Sequence, residues 1–438
     1  MFIRHDGFFV SAAMPKNFIE EFRWRGMLQE ITPGLEEWIS EKPITGYIGF
    51  DPTANSLHIG SLATVLLLVH LQRAGHSPIA LVGGATGMIG DPSGKSAERN
   101  LLDAGTISAN TDAIRKQLEK FLDFSPGPQQ AQVVNNLDWF GSMSAIDFLR
   151  NIGKHLTINY MLAKESVQKR METGISFTEF SYQLIQGYDF CWLYQNKGVL
   201  LQMGGSDQWG NMTAGTELVR RMTGGEVFAV TTPLVTKSDG SKFGKTEGGN
   251  IWLDPNLTSP YQFFQFWLNQ SDADAPGLIR RFTFLQKQEI ESLEKDHALQ
   301  PEQRILQKKM AEEVTRLVHG QSGLETALLT TGVLFGKGEL KELESISEEQ
   351  FHMVIAGVPR SSMANAELNS DWTHVLSAAT GNQIFPSKSE ARKMIAGGGV
   401  QVNKQKISSP EIAGVKLLRG KYLLVQKGKK NYFLIETV

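Results

Sequence analysis

The sequence predicts an α/β protein: a parallel-sheet domain, then a helical domain, then a small basic α+β domain. Three observations carry that prediction. Short β-rich runs at Ile44 to Phe50, Pro78 to Val82 and Val199 to Met203 alternate with helical stretches, as in a parallel sheet joined by crossover helices. Past Asn250 the pattern changes to helices. From Asp371 to the end, eleven Lys and Arg stand against four Asp and Glu, a surplus of 7 in a chain of net charge −2, so the rest carries −9. A basic end on an acidic body suits a polyanionic partner.

The 438 residues have room for two to four domains, and 41% hydrophobic with 21% charged residues is an ordinary soluble composition. The single cysteine, Cys191, cannot form an internal disulfide and reads as a small buried hydrophobe, which fits a reducing, cytoplasmic setting. No apolar run approaches the length of a membrane span. The apolar patch Phe8 to Met14 is too short and poorly flanked for a signal peptide, and Met14 stands as an alternative start. Boundaries are expected at 1–250, 251–345, 346–370 (a linker with few strong apolar runs) and 371–438.

Residues 16 to 42 read as a helical lead-in. The next stretch, Tyr47 to Ser61, reads Y-I-G-F-D-P-T-A-N-S-L-H-I-G-S. Pro52 ends the strand, and Asn55 or Ser56 can cap a helix running from Leu57 to Leu71. His58 then falls in the helix's first turn, where unpaired N–H groups attract anions. Gly60 leaves room for a flat base, and Ser61 shares the face of His58.

Pro78 to Val82 runs into G-G-A-T-G-M-I-G-D-P-S-G-K-S, Gly83 to Ser96. It is not a P-loop, because Ile89 holds the first glycine position, and it is not G-x-G-x-x-G, because Ala85 holds the second. What remains is a glycine-rich strand end carrying Thr86, Asp91, Lys95 and Arg99. Leu101 to Phe121 is an amphipathic helix, Val133-Val134 is a short strand before Asn136, and 140 to 175 is mostly helical.

Phe177 to Tyr194 is a helix in which Tyr182, Gln186 and Asp189 fall at i, i+4 and i+7, on one face. A phenol, an amide and a carboxylate there suit a ligand offering both an ammonium and a hydroxyl. Gly204 to Gly210, G-G-S-D-Q-W-G, is not a nucleophile elbow, because Gln208 stands where glycine is needed. A glycine turn before Asp207 suits a ribose. Thr236 to Thr246, T-K-S-D-G-S-K-F-G-K-T, is a cationic loop. Helices are expected at Ser259-Pro260, Ile279 to Glu294, Glu302 to Val318 and Gly323 to Leu334. Phe385 to Ile407 sets a basic helix before the turn Gly397-Gly398-Gly399 and a strand.

In this order the strings resemble the tyrosyl branch of the class I aminoacyl-tRNA synthetases, with H-I-G-S for the HIGH motif and K-F-G-K-T for the KMSKS loop. The resemblance implies a Rossmann-like catalytic domain with an inserted dimerisation segment, a helical anticodon-arm domain and a small RNA-binding domain. The implied reaction activates L-tyrosine with ATP, accompanied by Mg2+, and transfers it to tRNA(Tyr). A homodimer is also implied.

The resemblance carries over residue by residue. Tyr47 and Asp189 would hold the phenol; Asp91, Asn136, Tyr182 and Gln186 the ammonium; Thr86, Gln202 and Gln208 would lie near the tyrosine. Gly49, Asp51, Thr53, His58, Gly60, Ser61, Gly205, Asp207 and Lys245 would line the ATP site. His58, Lys95, Arg99, Lys242, Lys245 and Thr246 would face the phosphates. Lys388, Arg392, Lys393 and Lys404 would bind RNA. One position departs from the pattern, since Ser61 replaces the motif's last histidine. Two rivals are a non-catalytic RNA-binding relative and the tryptophanyl branch. The Tyr47–Asp189 pair and the basic tail argue against the latter.

Overall fold

The computed structural model describes residues 17–93, 102–172, 174–238, 240, 243–246, 249–335, 344, 348, 351, 352, 355, 358–428 and 431–438. The chain divides into two compact units. One takes it to Asp254 and again from Leu268 to Val318; the other comprises Pro255–Trp267 and His319–Val438.

The first unit is built on a six-stranded sheet. In chain order its strands are β1 (Glu30–Ile31), β2 (Thr45–Phe50), β3 (Ser77–Val82), β4 (Gln132–Asn135), β5 (Val199–Gly205) and β6 (Phe228–Thr232). Their spatial order is β1-β6-β5-β2-β3-β4. β1 is antiparallel to β6, and the other five are mutually parallel. Helices α1 (Ile59–Arg73), α2 (Ala104–Phe121), α3 (Phe177–Lys197) and α4 (Trp209–Thr223) connect the parallel strands. Strands buried on both faces need no polar alternation, and β6 is buried along its whole length. It is a strand that the sequence pattern did not anticipate. Because β2 and β5 are neighbours while the chain proceeds outward from each in opposite directions, the sheet has a switch point between them. Parallel sheets bind ligands beyond the strand ends at such a point.

Two local expectations change. The helix after β2 begins at Ile59, and its cap is His58, whose Nδ1 accepts the Ser61 N–H at 3.3 Å. Asn55 and Ser56 are displaced from that role because Leu57 and Ile59 bond in extended fashion to Leu253 and Ile251. The helix expected from Ile279 to Glu294 is two helices, α5 (Ala275–Phe282) and Lys287–Leu299. Between them the buried Arg25 guanidinium takes the carbonyls of Arg280, Thr283 and Leu285, at 2.7–2.8 Å, out of the helical ladder. The break expected between Val318 and Gly323 is present: Ile305–Phe335 is interrupted at Gly320, whose φ of 74° is non-helical.

The second unit holds a five-stranded sheet. It consists of β9 (Arg360–Met363), β10 (Val400–Val402), β11 (Gln405–Lys406), β12 (Tyr422–Lys427) and β13 (Asn431–Thr437), after a two-stranded ribbon, β7 (Lys245–Thr246) and β8 (Gly249–Asn250), in the first unit. Helix α6 (Lys388–Ala396) lies on the chain before β10. The segment read as a linker, 346–370, contains β9, which pairs in parallel with β13. Phe351, Ile355 and Val358 share a core with Tyr261, Tyr422 and Leu434. Widely spaced apolar residues made this stretch look empty; each is one large side chain filling a place in a distant sheet.

Candidate active site

Beyond the ends of β2 and β5 lies a cavity of about 560 Å3. Its wall contains Tyr47, Gly49, Asp51 and Thr53 from β2 and the loop after it, and His58, Gly60 and Ser61 from the start of α1. Thr86 and Asp91 come from the β3 end, Tyr182, Gln186 and Asp189 from α3, and Gln202, Gly205, Asp207 and Gln208 from the β5 end. Side chains read from separate strings thus meet around one space.

At one end the polar groups are buried. Tyr47 Oη, Gln186 Oε1 and Gln202 Oε1 have no hydrogen-bond partner among the described residues. Interiors seldom leave such atoms unsatisfied, so they mark where groups of a ligand belong. Asp189, 2% exposed, accepts from Trp139 Nε1 at 3.0 Å and from Asn136 Nδ2 at 3.1 Å. Burial pushes its carboxyl well above the ordinary range, and those two donors oppose the shift. Burial, with the nearby Asp189, pushes the Tyr47 phenol well up. The Tyr182 phenol is also raised, by burial first and then by Asp51 and Asp91, and it donates to Asp51 Oδ2 at 2.8 Å.

Asn136 is not on the cavity wall. It is fully buried behind it, where its amide contacts Thr86 Oγ1 and Asp189 and its oxygen accepts the Ala85 N–H. Asp51 Oδ1 accepts the Thr86 hydroxyl at 2.7 Å. That contact needs Gly83, because a Cβ there would stand 2.1 Å from Thr86 Oγ1 and 2.3 Å from Asp51 Oδ1. The glycine-rich run therefore lets two strand-end loops touch.

A second cluster surrounds Asp91, which accepts from Gln208 Nε2 at 2.6 Å and from the Ser93 N–H at 2.9 Å. Asn211 donates to Ser93 Oγ and Gln208 Oε1 at 3.2 Å. Trp139, Ser93 and Asn211 were missed by sequence reasoning. Trp139 lies 50 positions from Asp189, and Asn211 118 from Ser93, so no local pattern could pair them.

At the other end His58 caps α1. An imidazole whose Nδ1 accepts a hydrogen bond carries its proton on Nε2 when neutral, as a donor. A Cβ at Gly60 would stand 2.8 Å from the His58 ring, so this glycine first makes room for the histidine. The Ile251 N–H donates to Gly244 O, and the Ile251 carbonyl accepts the Ile59 N–H, both at 3.1 Å. One residue, Ile251, thus joins the stretch containing His58 to Gly244, which leads into the strand β7 containing Lys245. Lys95, Arg99 and Lys242 lie outside the described residues, as do the side chains of Lys245 and Thr246. Among the described residues no three His, Cys, Asp or Glu gather as a metal site, and no helix is long and apolar enough to cross a membrane.

In the second unit Lys388, Arg392 and Lys393 occupy the exposed face of α6, whose other face buries Ala391 and Ile395. Lys404 is not on that helix; it lies between β10 and β11 with φ 59°.

A sequence model for tRNA synthetases class I (W and Y) matches residues 40–335, and one for the tyrosine–tRNA ligase SYY-like C-terminal domain matches 350–435. The chain is 57% identical over 423 residues to a tyrosine–tRNA ligase of Cytophaga hutchinsonii, covering 96% of this chain and 99% of that one. It is 54% identical over 426 residues to one of Bacteroides thetaiotaomicron, with the same coverage. Among solved structures, a C-terminally truncated mitochondrial tyrosyl-tRNA synthetase of Aspergillus nidulans superposes with TM-score 0.66 at 29% identity, covering 73% of this chain and 95% of that one. A tyrosyl-tRNA synthetase from Archaeoglobus fulgidus, at 18% identity and TM-score 0.53 over 70% of this chain and 100% of that one, shares the fold.

Proposed function

The chain belongs to the tyrosine–tRNA ligases of class I, and from that premise we propose how its residues divide the work. The reaction joins tyrosine to tRNA in two steps. First the tyrosine carboxylate attacks the α-phosphorus of ATP and pyrophosphate leaves; then a terminal ribose hydroxyl of the tRNA takes the tyrosyl group from the adenylate. The carboxylate is already a nucleophile, so no general base is needed. Catalysis then rests on alignment and on stabilising charge that gathers on phosphate oxygens.

The buried end of the cavity takes the tyrosine side chain. The observation that carries this is the Tyr47 hydroxyl, buried and without a partner among the described residues, close to an Asp189 carboxylate held by Trp139 and Asn136. A phenol entering there donates to Asp189 and accepts from Tyr47. A bare phenyl ring leaves the Tyr47 hydroxyl unpaired and gives the Asp189 carboxylate no further donor beyond Trp139 and Asn136. Tyrosyl synthetases are the reference case for such discrimination, at about 10⁵-fold without editing. Asp91, Tyr182, Gln186 and Gln208 receive the ammonium, with Thr86, Asn136 and Gln202 framing them.

The open end takes ATP. Gly49, Asp51, Thr53, Gly60, Ser61, Gly205 and Asp207 border the nucleoside, and His58, Lys95, Arg99, Lys242, Lys245 and Thr246 face the phosphates. Ser61 supplies a hydroxyl to the ribose over a shorter reach than histidine would. Magnesium accompanies ATP on its phosphates, as part of the substrate. The exposed Lys388, Arg392 and Lys393, with Lys404, hold tRNA backbone. Ile146, Leu149, Ile158, Met171 and Phe177, each more than half exposed within one segment, suit the face of a homodimer. A cytoplasmic location suits a role in protein synthesis.

The test is Asp189→Ala with tyrosine-dependent exchange of labelled pyrophosphate into ATP. Removing a charged buried hydrogen-bond partner costs roughly 1.5–3 kcal/mol, so kcat/KM for tyrosine should fall by about 10- to 150-fold with folding intact. Tyrosine kinetics close to wild type would remove Asp189 from the pocket.

A further inference from the structure

Two stems flank the middle of the cationic stretch Thr236 to Thr246, and both rest on one short helix. At the first stem the Ser238 N–H donates to Asp274 Oδ1 at 2.8 Å. Asp274 immediately precedes α5, and its Oδ2 accepts the Ser271 hydroxyl at 2.6 Å. At the second stem the Phe243 ring stacks on Phe282, the last residue of α5, with centroids 5.7 Å apart and planes 29° apart. An eight-residue helix is about 12 Å long, so α5 works as a spacer with one stem at each end.

The spacer is itself held. Arg25, 3% exposed, donates to Arg280 O, Thr283 O and Leu285 O at its C-terminal end. From the second stem the chain continues through Gly244, whose carbonyl takes the Ile251 N–H, into Lys245.

We propose that Asp274 is a positioning residue for tyrosine activation. By accepting the Ser238 N–H it fixes the first stem against the end of α5, while Phe282 fixes the second, and together they set where Lys245 meets the phosphates. Asp274 touches neither substrate; it acts through the loop. The inference rests on the reading of Lys245 as a phosphate-facing group.

The experiment compares Asp274→Ala, Asp274→Asn, Lys245→Ala and the Asp274→Ala/Lys245→Ala double variant in the full-length protein. The readouts are kcat and the KM values for tyrosine and ATP in pyrophosphate exchange, equilibrium tyrosine binding, and thermal midpoint. Loss of the acceptor in Asp274→Ala should lower kcat about tenfold while tyrosine KM and binding stay unchanged. Asp274→Asn keeps an acceptor oxygen and should restore most of the rate. On the Lys245→Ala background the Asp274→Ala effect should largely vanish, because both act on one event.

A slow Lys245→Ala beside a fully active Asp274→Ala would overturn the inference and leave the Lys245 reading standing. A fully active Lys245→Ala would overturn that reading and the inference with it. Parallel loss of rate, tyrosine binding and thermal midpoint in Asp274→Ala would show a purely structural role and also overturn the proposal.

Discussion

At the scale of single residues, burial decides which groups can ionise. His76 is 3% exposed, and its Nδ1 accepts the Ile44 N–H at 3.1 Å, a bond that only the neutral ring can make. Burial pulls its pKa from 6.5 to about 4. The unfolded chain therefore binds this proton near pH 6.5 and the folded chain only near pH 4. The stabilisation is complete above pH 6.5 and is lost as pH falls through the folded value, with a ceiling of about 3 kcal/mol at roughly 1.4 kcal/mol per unit. His70, lowered first by burial and then by Arg25 and Arg73, acts in the same direction. Urea unfolding between pH 7 and 4 should show the decline. His76→Asn, which keeps an acceptor oxygen near the ring nitrogen, should flatten it by the share of one proton. An unchanged slope in that variant would assign the acid sensitivity elsewhere.

At the scale of elements, the sheet order explains why residues from five strings share one cavity, and helix ends explain how they are aimed. α3 carries Tyr182, Gln186 and Asp189 onto the wall from successive turns, as their spacing predicts. α5 owes its end to Arg25, which holds three backbone carbonyls and ion-pairs with Glu21 at 2.5 Å. Arg25→Met leaves those carbonyls and Glu21 without the guanidinium. Breaking a buried charged network of this kind costs roughly 3–5 kcal/mol. Denaturant titration should show that loss, and pyrophosphate exchange should weaken through kcat as the spacer under the cationic loop loosens. Wild-type stability in Arg25→Met would mean the helix end is held by packing alone.

At the scale of the whole molecule, every residue of the cavity wall lies between Tyr47 and Phe243, in the first unit. The basic surface assigned to RNA lies in the second. Cutting between activation and RNA binding should therefore succeed, but the site of the cut matters. A chain ending at Ser370 retains Phe351, Ile355, Val358 and β9 while losing β12 and β13, which cover them. It should aggregate through that apolar surface. A chain ending at residue 335 lacks Phe351, Ile355 and Val358 and keeps only Tyr261 and Leu329 of that core, and should remain soluble and form tyrosyl-adenylate near the full-length rate. It should charge tRNA poorly, with a shallower dependence of tRNA binding on salt. Light scattering on the two truncations, with exchange and charging assays, checks this. Equal solubility would show that the apolar core around Phe351 is dispensable.

The sequence by itself determined the α/β class, the opening strand and helix, the polar face of α3, and the helical and then basic character of the chain past Asn250. These are matters of periodicity, turn residues and composition, which act over a few residues and can be read there. It also carried the strings that identify the family. The tertiary structure alone decided that His58 caps its own helix, that Phe228–Thr232 completes the sheet, that 360–363 is a strand, and that Trp139 and Asn211 support the site. Each of those depends on a contact across a long stretch of chain. A lone tryptophan, a lone arginine or a four-residue edge strand has no periodicity to announce it; its role exists only once a distant carboxylate, carbonyl or strand has been brought beside it.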